Sequence, residues 1–200
     1  MALDREQIVR TALRLLDELG LETLSLRRVA KELDVQASAL YWHFTNKQEL
    51  LDEMARAIVL DVVSDDAVPD PSGATWQDLL MQLARAQRQA VRGHRDGATL
   101  MLNARPLTDY QIGYLEWVLG RLAEAGLNPA QAGEAFTVIS NYALGAAVVE
   151  QRSGGRTVDG DLDAALAAHP SLAPLVQADA DAVFESGLRW LLAGMAAQHS

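Results

Sequence analysis

The sequence predicts an all-α chain, on three observations. Apolar residues recur at helical spacing along its whole length, and no convincing period-two stretch marks a strand. Half of the 200 residues are hydrophobic, enough to bury a sizeable core. Helix stops and starts punctuate the pattern, as at Gly20, Gly126 and Asn128-Pro129.

The first helix is expected from Asp4 to Leu19. Asp4 and Gln7 have capping-box spacing, Gly20 ends the helix, and Ile8, Ala12, Leu15, Leu16 and Leu19 form its apolar stripe. A short second helix covers Leu26–Leu33 behind the N-cap Ser25, followed by a tight turn at Asp34-Val35. A third covers Ala37–His43. Thr45 and Gln48 form the next cap pair, ahead of a fourth helix over Lys47–Ser64. Asp65–Ala74, rich in Pro, Asp, Ser and Gly, reads as a loop. Further helices are expected at Trp76–Arg92, Gly97–Asn103, Asp109–Ala125, Pro129–Arg152 and Ala180–Gln198, with a surface loop at Ser153–Gly160. The division drawn from this pattern is a three-helix unit at 1–46 and a larger helical unit at 47–200.

Bulk properties narrow the function. The absence of cysteine removes disulfide frameworks and thiolate metal sites. No run of about 18 apolar residues is present, so no membrane span or membrane partner is expected. The charged start MALDREQIVR does not read as a signal peptide, so a cytoplasmic location is expected. The net charge of −10 is unevenly spread: residues 1–50 carry seven Lys/Arg against eight Asp/Glu, so the acidic excess lies almost wholly beyond them. That balance leaves phosphate contacts open to the N-terminal unit.

Thr23 to Lys47 has the order of a helix-turn-helix: two short helices, a brief turn and a small core of Val29, Ala30, Leu33, Val35 and Leu40. Small polar residues open its second helix and can enter a major groove. Gln36 suits a base edge and Ser38 a base or phosphate. Tyr41 and His43 can reach phosphates, Arg27 and Arg28 backbone or a flanking base. Lys47 stands at a helix N-terminus, where a phosphate is favoured. For Trp42 and Phe44, core packing is the expected role.

The run from Ile8 to Leu51 resembles the DNA-binding domain of the tetracycline-repressor (TetR) family. The resemblance is carried by Leu24-Ser25-Leu26-Arg27-Arg28-Val29-Ala30, Leu40-Tyr41-Trp42-His43-Phe44, Asn46-Lys47 and Leu50-Leu51. It implies DNA contacts at Arg27, Ala37, Ser38, Tyr41, His43 and Lys47. Ala37 and Ser38 depart from the tetracycline-repressor pattern, which implies a different operator.

A weaker resemblance continues through His94-Arg95-Asp96-Gly97-Ala98, Ala104-Arg105-Pro106, Asn141-Tyr142-Ala143-Leu144-Gly145 and Glu150-Gln151. It implies a small-molecule pocket and a dimerisation helix. The family's metal-binding histidine position reads Met101, and neighbouring polar positions read Ala104, Leu83, Trp117 and Val63 or Asp65. Burying a magnesium chelate among such groups is costly. The expected effector is therefore flat and apolar, with no metal and no cofactor. Candidate pocket residues are Leu60, Leu83, Gln87, Met101, Leu102, Arg105, Trp117, Phe136 and Asn141. Arg105 is the preferred polar anchor, on the premise that it is buried.

The small residues Ala143, Gly145, Ala146, Ala147, Ala182 and Gly187 suit close packing of two helices per subunit in a homodimer. No enzyme is expected. The histidines at 43, 94, 169 and 199 lack metal-site spacing, and no nucleophile elbow or phosphate-cradling glycine loop occurs. The expectation is a repressor that binds double-stranded operator DNA and is released by an effector. A ligand-independent DNA binder and an activator on the same fold stay open.

Overall fold

The computed structural model describes residues 3–63, 74–105, 109–153, 165–176 and 178–198, which contain helices and no strand. The expected loops over Asp65–Gly73 and 154–160 lie outside the described residues, and so does the side chain of Leu60.

Helix α1 (Arg5–Leu19) starts at Asp4, whose carboxylate accepts the Gln7 N–H at 2.7 Å. It stops at Gly20, whose φ of 82° favours glycine and whose N–H reaches the Leu16 carbonyl at 2.8 Å. Helix α2 (Leu26–Glu32) is capped by Ser25, which accepts from the Arg28 N–H at 3.3 Å. Asp34, at φ 53°, makes the turn into α3 (Ala37–Tyr41), two residues shorter than expected. The His43 and Phe44 N–H groups both close on the Leu40 carbonyl, which ends the helix in a single tight turn.

Helix α4 (Lys47–Val63) differs from expectation at its cap. Asn46 Oδ1 accepts the Glu49 N–H at 3.0 Å, and the Glu49 carboxylate accepts the Thr45 N–H at 2.8 Å. With Lys47 as the first helical residue, Asn46 is the N-cap and Glu49 the third residue, so the pair is one register later than Thr45 and Gln48. Gln48 is thereby free to reach elsewhere.

Helix α5 (Trp76–Arg92) opens with a full capping box between Thr75 and Asp78. Asp96, at φ 55°, precedes α6 (Gly97–Asn103). Position 97 must be glycine, because a Cβ there would stand 2.3 Å from the Val91 carbonyl oxygen. Helix α7 (Asp109–Glu124) ends near Gly126, at φ 103°. Helix α8 (Pro129–Ser153) begins with Asn128 and Gln131 exchanging two hydrogen bonds of 3.0 Å. Short turns at Pro170–Leu172 and Ala173–Val176 precede the last helix, α9 (Ala180–Gln198).

Two apolar clusters organise these helices. The first joins α1, α2, α3 and α4 (Ile8, Leu16, Val29, Leu40, Phe44, Leu50, Met54, Ile58) and continues into Val91, Leu100 and Ala147. The expected boundary at 46/47 thus falls inside one packed cluster. The second joins α5, α7, α8 and α9 through Leu80, Leu83, Val118, Leu122, Ile139, Phe184 and Leu188. Arg88 of α5 ties the last helix in. It is 7% exposed, lies 4.3 Å over the Phe184 ring, and pairs with Glu150 at 2.7 Å and Asp181 at 2.6 Å. A guanidinium so buried needs both carboxylates.

Candidate DNA interface and effector site

The candidate DNA face is built by what α3 buries. Leu40 and Phe44, four residues apart, are fully buried and pin the helix to the core. The remaining side chains are left outward: Gln36 and Ser38 are exposed, Ala37 and His43 half-buried, and Tyr41 is 51% exposed. Trp42 corrects the expectation of core packing, for it is 90% exposed. It stands two residues from both Leu40 and Phe44 and so faces away from the side they bury. An aromatic run reads as core until that spacing is counted.

Beside α3 lies an open cleft of about 410 Å³ lined by Ser25, Leu26, Arg27, Tyr41, Thr45, Asn46 and Lys47. The N-terminus of α4 opens onto it, so backbone N–H groups and two cationic side chains meet at a place suited to phosphate. Lys47 Nζ here donates to the Leu21 carbonyl at 3.3 Å, a contact a phosphate can replace. Arg28 is exposed on α2. Arg5, which the sequence reading missed, braces this unit: it donates to the His43 carbonyl, to Glu49 at 3.0 Å and to Glu53 at 3.2 Å, with its guanidinium 4.4 Å over the Phe44 ring. The Thr45 hydroxyl and amide, with Arg5 behind them, hold the Glu49 carboxyl down at about 2.

The candidate effector residues divide into two groups. Leu83, Gln87, Trp117 and Phe136 come together around Tyr114, a residue the sequence reading did not single out. Gln87 donates to the Tyr114 hydroxyl at 3.3 Å, Trp117 stacks on its ring at 6.5 Å, Phe136 meets it edge-on at 6.3 Å, and Leu83 shares their cluster. Met101, Leu102 and Arg105 lie instead at the end of α6. Met101 packs against the first cluster, Leu102 is 61% exposed, and Asn141 is exposed on α8. Among the described residues, two buried side-chain polar atoms have no partner, Arg121 Nε on α7 and Ser140 Oγ on α8.

Residues 8–54 match the family described as bacterial regulatory proteins, tetR family, and residues 68–199 match the tetracyclin repressor-like C-terminal domain. The tetracycline repressor protein class A from transposon 1721 of Escherichia coli is 36% identical over 94% of this chain and 88% of its own length. The chain belongs to the TetR family of DNA-binding transcriptional regulators. Among solved structures, a possible TetR family transcriptional regulator from Streptomyces coelicolor A3(2) matches with a TM-score of 0.83 and 37% identity, over 97% of this chain and 99% of that one. The Streptomyces coelicolor TetR family protein ActR, in complex with actinorhodin, matches with a TM-score of 0.84 and 29% identity, over 99% and 98%.

In this TetR-family chain the reading head and the second domain are joined at both ends of α6. At the C-terminal end, Gln48 of α4 donates to the Asn103 carbonyl at 2.8 Å and to Asp52 at 2.9 Å. Asp52 also accepts the Arg105 N–H at 2.9 Å and its guanidinium at 2.7 Å. Here the premise about Arg105 is reversed: its side chain is 61% exposed and that of Asp52 only 6%. The buried member is the carboxylate, because α6 ends on the outer surface of α4 and Arg105 covers Asp52 from outside. Burial is the largest single influence on Asp52 and pushes its pKa up. The Arg105 amide, Gln48 and the guanidinium together overrule it and hold the carboxyl below its ordinary value.

At the N-terminal end, the turn before α6 grips the end of α1. Asp96 accepts the Leu21 N–H at 2.9 Å, and Asp17 accepts the Arg95 N–H at 3.0 Å and faces His94 Nδ1 at 3.1 Å. Gln151 of α8 fixes that turn, donating to the Val91 and His94 carbonyls at 3.1 and 2.8 Å and accepting from the Ala98 N–H at 3.1 Å.

Proposed function

We propose that this regulator is a homodimeric, ligand-responsive repressor that leaves its operator when a flat, largely apolar molecule binds between its helices. The observation that carries the DNA half is the outward set on α3 beside the α4 cleft. Gln36, Ala37 and Ser38 lead into the major groove, while Arg27, Arg28, Tyr41, His43 and Lys47 hold the backbone. Trp42 joins Tyr41 on that face. The protein acts where its operator is, in the cytoplasm, and not as an enzyme.

The dimer reading rests on apolar side chains that one protomer leaves uncovered. Val138 and Val149 on α8 are 37% and 64% exposed, and Val183 and Trp190 on α9 are 54% and 77% exposed. The Pro129–Arg152 stretch is long and apolar enough for a membrane span by length and composition, yet only 28% of its most apolar 18 residues is buried inside the protomer. A second copy laid against α8 and α9 covers that face in a four-helix contact. The two-fold then sets the reading heads about 34–36 Å apart, one DNA turn.

The effector reading rests on the ring cluster around Tyr114 and on Met101, where the family resemblance puts the metal-binding histidine. A thioether is a poor ligand for magnesium, a hard cation that takes oxygen. ActR, a chain of the same fold, was solved in complex with actinorhodin, which gives a bound small molecule a precedent in this architecture. Ligand against the ring cluster shifts α5, and α6, which packs on α5, shifts with it. The ties of Gln48 and Asp52 carry the displacement to α4, and α4 moves the head with which it shares a core. The ligand must bind the released form better, since only differential affinity shifts the equilibrium.

The test is a gel shift on the DNA upstream of the protein's own gene, followed by a compound screen for release. Lys47→Ala should weaken binding on all sequences alike and lower the salt slope by about one. Gln36→Ala should instead relax specificity at one base pair, by about 1–3 kcal/mol. Wild-type protein that binds none of this DNA at low salt defeats the reading.

A further inference from the structure

The structure assigns to Arg5 a part in operator selection: it is a positioning residue that fixes the far end of α3 without touching DNA itself. This rests on the DNA reading above and adds to it a residue that lies outside the helix-turn-helix.

Helix α3 is five residues long, little more than one turn. So short a helix is marginal by itself, and its outward side chains stand where its two ends are pinned. At the near end, the Val35 N–H donates to the Ala30 carbonyl at 3.0 Å. Along the inner side, Leu40 and Phe44 are fully buried. At the far end, the His43 and Phe44 N–H groups close on the Leu40 carbonyl and the chain leaves the helix. Tyr41 and Trp42 face outward there, with His43 next in the chain.

Arg5, the first residue of α1, reaches this end from 38 positions away. One terminal nitrogen, Nη1, donates to the His43 carbonyl. The other, Nη2, lies between two carboxylates of α4, Glu49 at 3.0 Å and Glu53 at 3.2 Å. The guanidinium stands 4.4 Å from the centroid of the Phe44 ring. A planar fork holds such partners in one orientation, as a flexible ammonium does not. One side chain therefore registers the end of α3 against α1 and α4. Both terminal nitrogens are committed, and Glu49 and Glu53 repel an anion, so a DNA phosphate has no place at Arg5. The side chain is also exposed, and surface ion pairs add little to global stability. Its loss therefore shows in the placement of α3 rather than in folding. Hydrogen bonds to base edges weaken steeply with angle, so a loosened α3 loses discrimination as well as grip.

The test uses the full-length protein. Arg5→Met keeps the apolar stem and removes the fork, and Arg5→Lys keeps the charge alone. In hydrogen–deuterium exchange, Arg5→Met should speed exchange over residues 41–46 by about tenfold, the scale of one charge-assisted hydrogen bond. Exchange in α8 and α9 and the thermal midpoint should hold. From duplexes with a randomised centre, wild type should enrich one sequence. Arg5→Met should bind that sequence about tenfold more weakly, by the same scale, and enrich a broader set at an unchanged salt slope. Arg5→Lys should recover part of the grip and little of the selectivity.

Unchanged exchange over residues 41–46 overturns the proposal, with no operator required. A salt slope lower by about one in Arg5→Met overturns it too, since it makes Arg5 a phosphate contact. So does full rescue by Arg5→Lys, or a lowered thermal midpoint with the enriched sequence unchanged, which assigns Arg5 to folding alone. Wild type that enriches no sequence sinks the DNA reading instead, and the exchange measurement still decides what holds α3.

Discussion

Glu49 carries more of the reading head than its place on a helix surface suggests. Its carboxylate accepts the Thr45 amide and hydroxyl in front of α4 and takes the Arg5 guanidinium from α1. The loop between α3 and α4 is therefore held by one ionised group. Because the folded carboxyl sits at about 2, below its ordinary 4.5, its contribution is complete above 4.5 and is lost as pH falls toward 2. Thr45→Val, which removes the largest of these hydrogen bonds, should move acid unfolding to higher pH. Glu49→Gln should lower stability at neutral pH and flatten its loss across that window. Far-UV circular dichroism against pH measures both, and an unchanged acid profile in both variants contradicts this account. At the same scale, Gly97→Ala forces a Cβ to 2.3 Å from the Val91 carbonyl oxygen, a backbone atom that cannot swing aside. It should cost about 1–3 kcal/mol, read as a lowered thermal midpoint.

Among the elements, the tie between α4 and α6 is the one on which the proposed route from effector to reading head depends. Arg105→Ala leaves Asp52 buried with only the Arg105 amide and Gln48 against it. It should lower stability modestly and weaken the response to effector more than the affinity for operator. Asp52→Asn removes the charge that needs a partner and should be milder in stability while still loosening the response. Measured together, operator affinity with and without effector and thermal midpoint separate coupling from folding. A variant that melts early yet responds fully would assign the pair to stability alone.

The same scale shows what could be read in advance. The caps at Asp4 and Ser25 and the bounds of most helices were legible, since each depends on residues within a turn of one another. The cap of α4 was not. Thr45 and Asn46 can both cap, and the choice depends on where α3 stops, which Leu40 settles by packing. Leu83 and Gln87 were legible as pocket candidates, but the meeting of Gln87 with Tyr114 and of Leu83 with Trp117 comes from α5 and α7 packing across long sequence separations. The exposure of Arg105 was illegible for the same reason, because its buried partner Asp52 lies 53 residues away.

For the whole molecule, the apolar side chains left exposed on α8 and α9 are the feature that a second copy would cover. Val183→Glu together with Trp190→Glu should yield a monomer by light scattering. Its grip on a two-fold operator should fall by about 10²–10⁴, the gain that joining two sites confers. Dimers that persist in this double variant place the contact elsewhere.

The first cluster runs without a break from Ile8 through Ile58 to Leu100 and Ala147. A graft that exchanged residues 1–46 with a relative's would therefore cut through a filled interior, exposing Leu50, Met54 and Ile58 to mismatched neighbours. New promoter targets are reached more cheaply by altering the few outward side chains of α3, a change the packing beneath does not register. Retargeting in this protein is a matter of repainting a surface, and chimeras that succeed should carry their junction beyond α4.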